Sequence, residues 1–471
     1  MSDPVPLIRL NSLKLQNFRC FREIDITFDP LLTVIVAPNG GGKTAILDAV
    51  AISWRLFVDA MLTKPGSTGF DHSDIRMELS PSQTMEPLLP TSLTAKGLIG
   101  QHSDSLAGLE SEESWSRQLN SNQPKAKTSF VEATVLKRFA DDLRSQLQSE
   151  VTNKGGKSPT FPLIAYYGTG RLFGAHKLTE RKKEQTKTAR SLGYEDCLSA
   201  SSRYKFFVDW FERFSRETQD ETTSGKPSQH QPKLKLEAVK NAVDFVLKPS
   251  GWHSLKWDFA QGIITADHPQ HGSLPVDSLS DGVRNMIGLV ADIAHRAVRL
   301  NPQFNEKAAT QTPGVVLIDE VDMHLHPEWQ QLILAALQDA FPLIQFIVTT
   351  HSPQMLTTVK RENIRILAQD PNGVWTADEP KEQTKGVQSA ATLAGVMDVD
   401  PIPPVQEALY LSRYQQMIQL RQHDSEEGLK LRVLLDAHFG PQHPLMLDCD
   451  RLIRLEQFKA KLPVKPSKPD E

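Results

Sequence analysis

A run of three glycines follows an apolar segment near the N-terminus and limits the folds that this chain can adopt. Residues 31–37 read Leu-Leu-Thr-Val-Ile-Val-Ala, which predicts a strand buried on both faces. Residues 44–61 are rich in Ala, Ile, Leu and Val at helical spacing. The segment Ala37-Pro38-Asn39-Gly40-Gly41-Gly42-Lys43-Thr44 lies between them. Because small residues let backbone N–H groups converge at a helix N-terminus, the sequence predicts a phosphate-binding loop.

The side chains of this loop have separate expected roles toward a nucleotide. Lys43 would reach the β- and γ-phosphates, and the Thr44 hydroxyl would ligate Mg²⁺. The strict pattern begins with glycine, whereas this loop begins with Ala37. An incidental Lys-Thr after a glycine-rich turn is the alternative reading. The predicted nucleotide-binding residues of the loop are Asn39, Gly40, Gly41, Gly42, Lys43 and Thr44.

Two adjacent carboxylates follow a second apolar run, Val315-Val316-Leu317-Ile318, much later in the chain. At the end of a strand beside the loop, Asp319 would hold Mg²⁺ and Glu320 would polarise a water molecule as general base. An acidic surface turn after a strand is the alternative. The combination with the glycine loop favours a catalytic pair, Asp319 for the metal and Glu320 for the base.

A second anion-binding helix end is predicted at Leu279-Ser280-Asp281-Gly282, before a helix over residues 285–300. Ser and Gly at a helix start present a hydroxyl group and free backbone N–H groups. Two such helix ends in one chain suggest that each binds the nucleotide of a different copy. Taken alone, Ser280 and Asp281 before a helix are more often an ordinary N-cap.

His351 lies in Val348-Thr349-Thr350-His351-Ser352-Pro353, at the end of the strand predicted after the Asp319-Glu320 helix. A histidine at that place can donate a hydrogen bond to a γ-phosphate and respond to its departure. The alternative is a plain polar surface residue. Its position after Asp319 and Glu320 favours the catalytic role.

The composition sets limits on partners and location. The 471 residues carry 53 basic and 57 acidic side chains, a formal charge of −4, so no overall field favours nucleic acid or an anionic membrane. The three cysteines are widely separated, which fits a reducing compartment. No apolar run approaches the roughly 18–20 residues that span a bilayer. We expect a cytoplasmic protein without a membrane partner.

The pattern along the chain predicts an α/β head domain over residues 1–385, with insertions at about 65–160 and 172–250. A helical region at 386–462 follows, with oligomer or partner contacts as its expected role, and residues 463–471 are predicted to be a disordered tail. Residues 215–233 are predicted to be a mobile loop. A capping box of Asp424 and Glu427 is expected to open one of three C-terminal helices.

The four motifs, in this order, resemble those of the ABC-type ATPases of the RecF, SMC and OLD group. The resemblance implies a P-loop ATPase head with a mixed sheet, helical insertions and a short helical C-terminal region. It also implies that ATP and Mg²⁺ are bound, with Arg19 of Phe18-Arg19-Cys20-Phe21 near the phosphates. Asp322-Met323-His324-Leu325-His326-Pro327 resembles the D-loop of this group.

In that group two heads enclose two ATP molecules, which implies a head-to-head dimer of this chain or a higher homo-oligomer. The segment Leu279–Gly282, which we call the signature segment, would then cap ATP in the other copy through Ser280, Asp281 and Gly282. Some relatives carry a coiled-coil arm between the P-loop and the signature segment. No sustained heptads occur there in this chain, so no arm is expected.

A narrower resemblance is to the PtuA-type ATPases of Septu and retron-associated phage defence. It rests on Tyr166-Tyr167-Gly168-Thr169-Gly170-Arg171, the compact head and the short helical C-terminus. It implies an ATPase that regulates a PtuB-like HNH nuclease, so that DNA is reached indirectly through that partner.

Three other functions remain open from the sequence. Asp448-Cys449-Asp450 resembles the Asp-x-Asp of the Toprim nuclease domain in OLD proteins, although its surroundings have a helical pattern. A RecF-like repair ATPase would bind DNA directly, and Arg181-Lys182-Lys183 with Lys187 could form a basic face for it. A nucleotide-gated scaffold that barely hydrolyses ATP is the third.

Overall fold

The chain forms two compact units, Met1–Met397 and Asp398–Glu471. The computed structural model describes residues 6–64, 69–101, 112–123, 128–129, 133–152, 158–171, 189–199, 204–224 and 231–461. The first unit extends beyond residue 385, where the sequence predicted the head to end, because helix Ser389–Met397 packs against helix Pro353–Leu356. In the part of the chain that is described, no helix is both long and apolar enough to cross a membrane.

Fifteen strands are present in the described residues, and all belong to the first unit. They are β1 Pro6–Phe18, β2 Phe21–Thr27, β3 Leu32–Val36, β4 Met77–Leu79, β5 Met85–Pro87, β6 Thr91–Gln101, β7 Glu112–Leu119, β8 Leu163–Tyr167, β9 His253–Asp258, β10 Ile263–His268, β11 Gly272–Pro275, β12 Gly314–Ile318, β13 Ile344–Thr349, β14 Ile364–Gln369 and β15 Trp375–Asp378.

Helices cover these sheets and make up the second unit. They are α1 Lys43–Met61, α2 Thr134–Thr152, α3 Tyr204–Ser224, α4 Pro232–Leu247, α5 Asp281–Leu300, α6 Ala308–Gln311, α7 Pro327–Gln330, α8 Ile333–Ala340, α9 Pro353–Leu356, α10 Ser389–Met397, α11 Gln406–Gln419, α12 Glu426–Phe439 and α13 Pro444–Lys461. Short 3₁₀ turns connect several of them.

The central sheet has six strands in the order β15-β14-β3-β13-β12-β8. The five strands from β14 to β8 are parallel, and β15 runs antiparallel to β14 at the edge. Every residue of β3, β8, β12 and β13 is buried, as expected for apolar strands covered on both faces. The predicted α/β class with a mixed sheet is therefore confirmed.

The buried amide of Gln345 helps to join a second, antiparallel sheet of order β2-β1-β6-β7 to the central sheet. The register between β1 and β6 shifts between Leu10 and Ser12. The backbone N–H of Leu10 donates to Oε1 of Gln345 at 2.8 Å, and Nε2 of Gln345 donates to the Leu10 carbonyl at 2.7 Å. Nε2 also donates to the Asp29 carbonyl at 2.8 Å. The Gln345 side chain thus bonds β1 as a neighbouring strand would.

The prediction of a loop over residues 215–233 is wrong for residues 215–224. Helix α3 continues to Ser224, and α4 begins at Pro232. The reason is the apolar face of α3, on which Phe207, Trp210, Phe211 and Phe214 are buried at helical spacing. That packing anchors the helix, and its polar last turns continue into solvent. The predicted basic face at residues 181–187 and the tail at 463–471 lie outside the described residues.

The second unit packs α11, α12 and α13 around a small core. That core consists of Tyr414, Met417, Ile418, Leu431, Leu435, Met446 and Cys449. The N-cap of α12 is Ser425, whose Oγ accepts a hydrogen bond from Gly428 N at 3.2 Å. The capping box predicted at Asp424 is therefore wrong by one residue, because the Ser425 hydroxyl satisfies the backbone donor instead.

Replacing Gln345 by leucine tests the link between the two sheets. The variant leaves the buried N–H and C=O of Leu10 without their partners, at about 1–3 kcal/mol each. We expect the free energy of unfolding to fall by roughly 2–5 kcal/mol in urea denaturation. The exposed Gln331→Leu is the matched control, and an equal loss in both variants would contradict the bridging role.

Candidate nucleotide-binding site

The glycine loop connects β3 to α1 and needs glycine at two of its positions. Gly40 and Gly42 have φ angles of 75° and 84°, and Gly42 is the N-cap of α1. A Cβ atom on Gly42 would lie 2.3 Å from Cζ of Phe21 and 2.7 Å from Sγ of Cys20. The β1–β2 turn therefore packs directly against the loop, and only glycine fits there. Asn39 and Gly40 are exposed at its tip.

Lys43 folds back over the loop that precedes it. Its Nζ donates to the carbonyl of Ala37 at 2.9 Å and to that of Pro38 at 3.3 Å. Burial lowers the pKa of Lys43, and the charges of Asp319, Glu320 and Asp322 oppose that shift. The ammonium group thus lies where it faces both the loop and the carboxylates that follow β12.

Thr44 and Asp319 meet directly, although they are far apart in sequence. Thr44 Oγ1 donates to Asp319 Oδ2 at 2.7 Å. The other carboxylate oxygen, Oδ1, accepts from Thr349 Oγ1 at 2.6 Å. Asp319 is buried, and its backbone N–H donates to the Tyr167 carbonyl at 2.8 Å. The carboxylate is therefore held in one orientation by Thr44 of α1 and Thr349 of β13, and the backbone of Asp319 is held by β8.

Glu320 follows Asp319 in a left-handed backbone conformation, with a φ of 47°. Its backbone N–H donates to Thr349 Oγ1 at 2.7 Å. One threonine hydroxyl thus contacts both residues of the acidic pair. A non-glycine residue with positive φ is uncommon, and such strain is typical of functional sites.

His351 lies in the loop after β13 and is half-buried. The next residue, Ser352, caps α9, and its Oγ donates to Oε1 of Gln330 at 2.7 Å. Nε2 of Gln330 in turn donates to the carbonyl of Leu325 at 3.0 Å. The histidine loop is therefore tied to the D-loop.

Arg19 lies in the β1–β2 turn with a φ of 48° and contacts two carboxylates. It forms an ion pair with Asp48, in the second turn of α1, and its Nε donates to Asp74 Oδ1 at 2.9 Å. Burial works against the charged form, but Asp48 and Asp74 outweigh it, so the pKa of Arg19 is raised. The structure places this arginine beside the helix that the glycine loop starts.

The signature segment opens α5, with Ser280 as its N-cap and Asp281 paired with Arg284. Ser280 and Asp281 are exposed, whereas Gly282 is buried. A Cβ atom on Gly282 would lie 2.4 Å from the carbonyl oxygen of His324 in the D-loop. Within the described residues, no hydrogen bond joins Ser280 or Gly282 to the glycine loop.

The donor atoms at this site fit Mg²⁺. Thr44 Oγ1 and Asp319 Oδ2 converge, and hydroxyl and carboxylate oxygens are its preferred protein ligands. The described residues hold no cluster of three or more His, Cys, Asp or Glu side chains able to bind a metal by themselves. Mg²⁺ usually takes only one or two protein carboxylates and completes its shell with water and phosphate oxygens.

Three features of the site were not predicted from the sequence. Thr349 lies two residues before His351, and the motif there predicts no role for it; the signal for one is its place at the end of the strand after Asp319. The carboxylates of Asp48 and Asp74 that hold Arg19 had no recognisable pattern. The Ser352–Gln330 contact depends on tertiary structure alone.

These features define a P-loop ATPase of ABC type, with a glycine loop, an acidic pair and a signature segment on one head. A family model described as "AAA domain, putative AbiEii toxin, Type IV TA system" matches residues 32–357, more than half of the chain. The chain belongs to this AAA family.

Three relatives each match more than four fifths of this chain. The "Retron Ec83 probable ATPase" of Escherichia coli is 25% identical, over 94% of this chain and 86% of that protein. The "Septu protein PtuA" of Bacillus thuringiensis is 22% identical, over 93% and 96%. The "OLD nuclease" of Thermus scotoductus is 25% identical, over 83% and 68%. The chain is thus a probable ATPase similar to those of retron and Septu systems, and the predicted resemblance to the RecF, SMC and OLD group is confirmed.

Replacing Thr349 by valine tests the hydroxyl that contacts both acidic residues. We expect Mg²⁺-dependent ATP turnover to fall about 10–100-fold, because Asp319 and Glu320 lose the group that orients them. ATP binding should change little, since Lys43 and the glycine loop are untouched. Phosphate release and nucleotide binding are measured on the same preparations. Thr349→Ser keeps the hydroxyl and should restore turnover; a serine variant as slow as valine would contradict this role.

Proposed function

We propose that this chain binds ATP with Mg²⁺ and hydrolyses it at the site formed by β3, β12 and β13. The contact between Thr44 and Asp319 is the observation that carries the proposal, because it joins the glycine loop to the acidic pair. Bound Mg²⁺ would neutralise phosphate charge and would be held by Thr44 and Asp319.

The other side chains then have distinct tasks. Lys43 would leave the carbonyls of Ala37 and Pro38 for the phosphate oxygens, which are stronger acceptors because they are charged. Glu320 would accept a proton from the attacking water, and His351 would donate a hydrogen bond to the γ-phosphate. Arg19 would add positive charge on the side of α1.

We further propose that two copies pair head to head, with the signature segment of each copy completing the site of the other. Ser280 is exposed, and its side chain makes no capping bond, so its hydroxyl can accept or donate outside the head. Helix α5 has 20 residues, and the N-terminus of such a helix favours a phosphate group. Higher homo-oligomers built from such pairs are compatible with this arrangement.

Mixing two inactive variants tests whether the sites are shared between copies. Lys43→Ala removes nucleotide binding. Ser280→Arg places a bulky side chain where the signature segment would contact the ATP of the other copy. A mixed dimer of the two keeps one intact site, so an equimolar mixture should recover about a quarter of wild-type turnover.

The control pairs Lys43→Ala with Thr44→Ala, whose defects lie in the same loop and cannot complement each other. Each variant is checked by circular dichroism, and Ser280→Arg also for ATP binding. A mixture no more active than its separate components would contradict the shared site.

For the biological role, we propose a cytoplasmic subunit of an antiphage defence complex whose ATP state regulates a PtuB-like HNH nuclease. The names of the retron and Septu relatives support the setting. A nuclease within this chain is disfavoured, because Asp448 and Asp450 lie on helix α13 and not at the end of a strand. Asp450 is also paired with Arg432. DNA would then be contacted through the partner.

A reconstitution tests whether DNA is cleaved by the partner nuclease and not by this chain. The purified chain should leave duplex DNA intact, and cleavage should appear when it is co-expressed with a PtuB-like HNH nuclease. We expect Asp448→Asn to leave that cleavage unchanged, measured on agarose gels with and without ATP. Cleavage by the chain alone that disappears in Asp448→Asn would instead show an OLD-like nuclease.

A further inference from the structure

A buried group of three side chains connects the signature helix to the strand beside Asp319. Tyr167 is the last residue of β8, and its hydroxyl donates to Asp292 Oδ2 of α5 at 2.8 Å. The same carboxylate oxygen accepts from Arg296 Nε at 2.8 Å. Tyr167 and Asp292 are exposed by 2% and 3%. We call Tyr167, Asp292 and Arg296 the α5 link.

The electrostatics of the link fix which atom carries each proton. Burial raises the pKa of Tyr167, and the neighbouring Asp292 charge raises it further, so the phenol remains a hydrogen-bond donor. Burial opposes the charge of Arg296, but Asp292 outweighs it and the pKa of Arg296 is raised. Arg296 Nη1 also donates to the carbonyls of Gly193 at 2.7 Å and Glu195 at 3.1 Å. The ion pair is therefore well satisfied with hydrogen bonds.

The backbone of Tyr167 faces the acidic pair. Its carbonyl accepts the N–H of Asp319 at 2.8 Å, while its side chain holds α5. The N-terminus of α5 meets the same region a second time, where Gly282 packs against the carbonyl of His324. The signature helix thus contacts the D-loop directly at Gly282 and is connected to Asp319 indirectly, through Tyr167 of β8.

We propose that Tyr167 is a positioning residue that couples the nucleotide state of a head to its own signature helix. A change at Asp319 on nucleotide binding would pass through the Tyr167 backbone and hydroxyl to Asp292, and so to α5. The helix that each copy offers to its partner would then depend on its own nucleotide. This inference rests on the proposed ATP binding at Lys43 and Thr44.

Hydrogen exchange of the full-length chain, measured by mass spectrometry with and without Mg²⁺-ATP, separates binding from coupling. Protection of α1 reports ATP binding, and protection of α5 reports the link. In the wild type we expect about tenfold slower exchange in both helices with ATP. In Tyr167→Phe, which keeps the Asp292–Arg296 pair, α1 should remain protected and the α5 effect should drop to about twofold or less.

Tyr194→Phe is the matched control, because it removes another buried phenol, whose hydroxyl donates to the Pro162 carbonyl at 2.7 Å. It should lower the stability by a similar amount and keep the ATP effect on α5. If the role of Tyr167 were merely structural, the two variants would change the exchange of α5 alike. Full α5 protection in Tyr167→Phe, or α1 protection without α5 protection in the wild type, would overturn the coupling. Protection in neither helix of the wild type would reject ATP binding itself, and the coupling with it.

Discussion

The parallel pairing of β13 between β3 and β12 is the constraint on which the candidate site depends. Thr349 pairs with Ile35 on one side, and Val348 pairs with Ile318 on the other. Because carboxyl ends of parallel strands meet at one edge, the glycine loop, the acidic pair and the His351 loop must converge there. Thr349 is the last residue of β13. Its hydroxyl contacts both Asp319 and Glu320 and so links the end of β13 to the acidic pair.

The two polar residues of β13 have different tasks at opposite ends of an otherwise apolar strand. Gln345, near its start, satisfies the backbone of Leu10 where the register of β1 shifts, and so attaches the antiparallel sheet. That sheet carries the turn with Arg19 and the Phe21 ring that packs on Gly42. The strength of this attachment therefore bears on the glycine loop as well as on stability, because Phe21 limits how the loop can move.

The sequence predicted those parts of the molecule whose signal is local. Continuous apolar runs predicted β3, β12 and β13, and the glycine loop predicted the start of α1. Contacts between residues far apart in sequence could not be predicted. Examples are the contacts of Arg19 with Asp48 and Asp74, and the contact of Tyr167 with Asp292. Helix α3 was missed over residues 215–224 because its polar turns are held by aromatic residues earlier in the helix. The roles of Ser280 and His351 remain predictions, since both depend on a bound nucleotide or a second copy.

Ala37, where the common loop pattern has glycine, is explained by its neighbours. A Cβ atom on Gly41 would lie 2.7 Å from Cβ of Ala37 and 3.0 Å from the carbonyl oxygen of Pro38. The methyl group of Ala37 thus occupies space that a side chain at position 41 would need. Ala37 has no positive φ, and its carbonyl accepts from Lys43. The loop therefore accommodates the methyl group of alanine at its first position because the fifth position is glycine. With Ala37 present, position 41 has no room for a side chain.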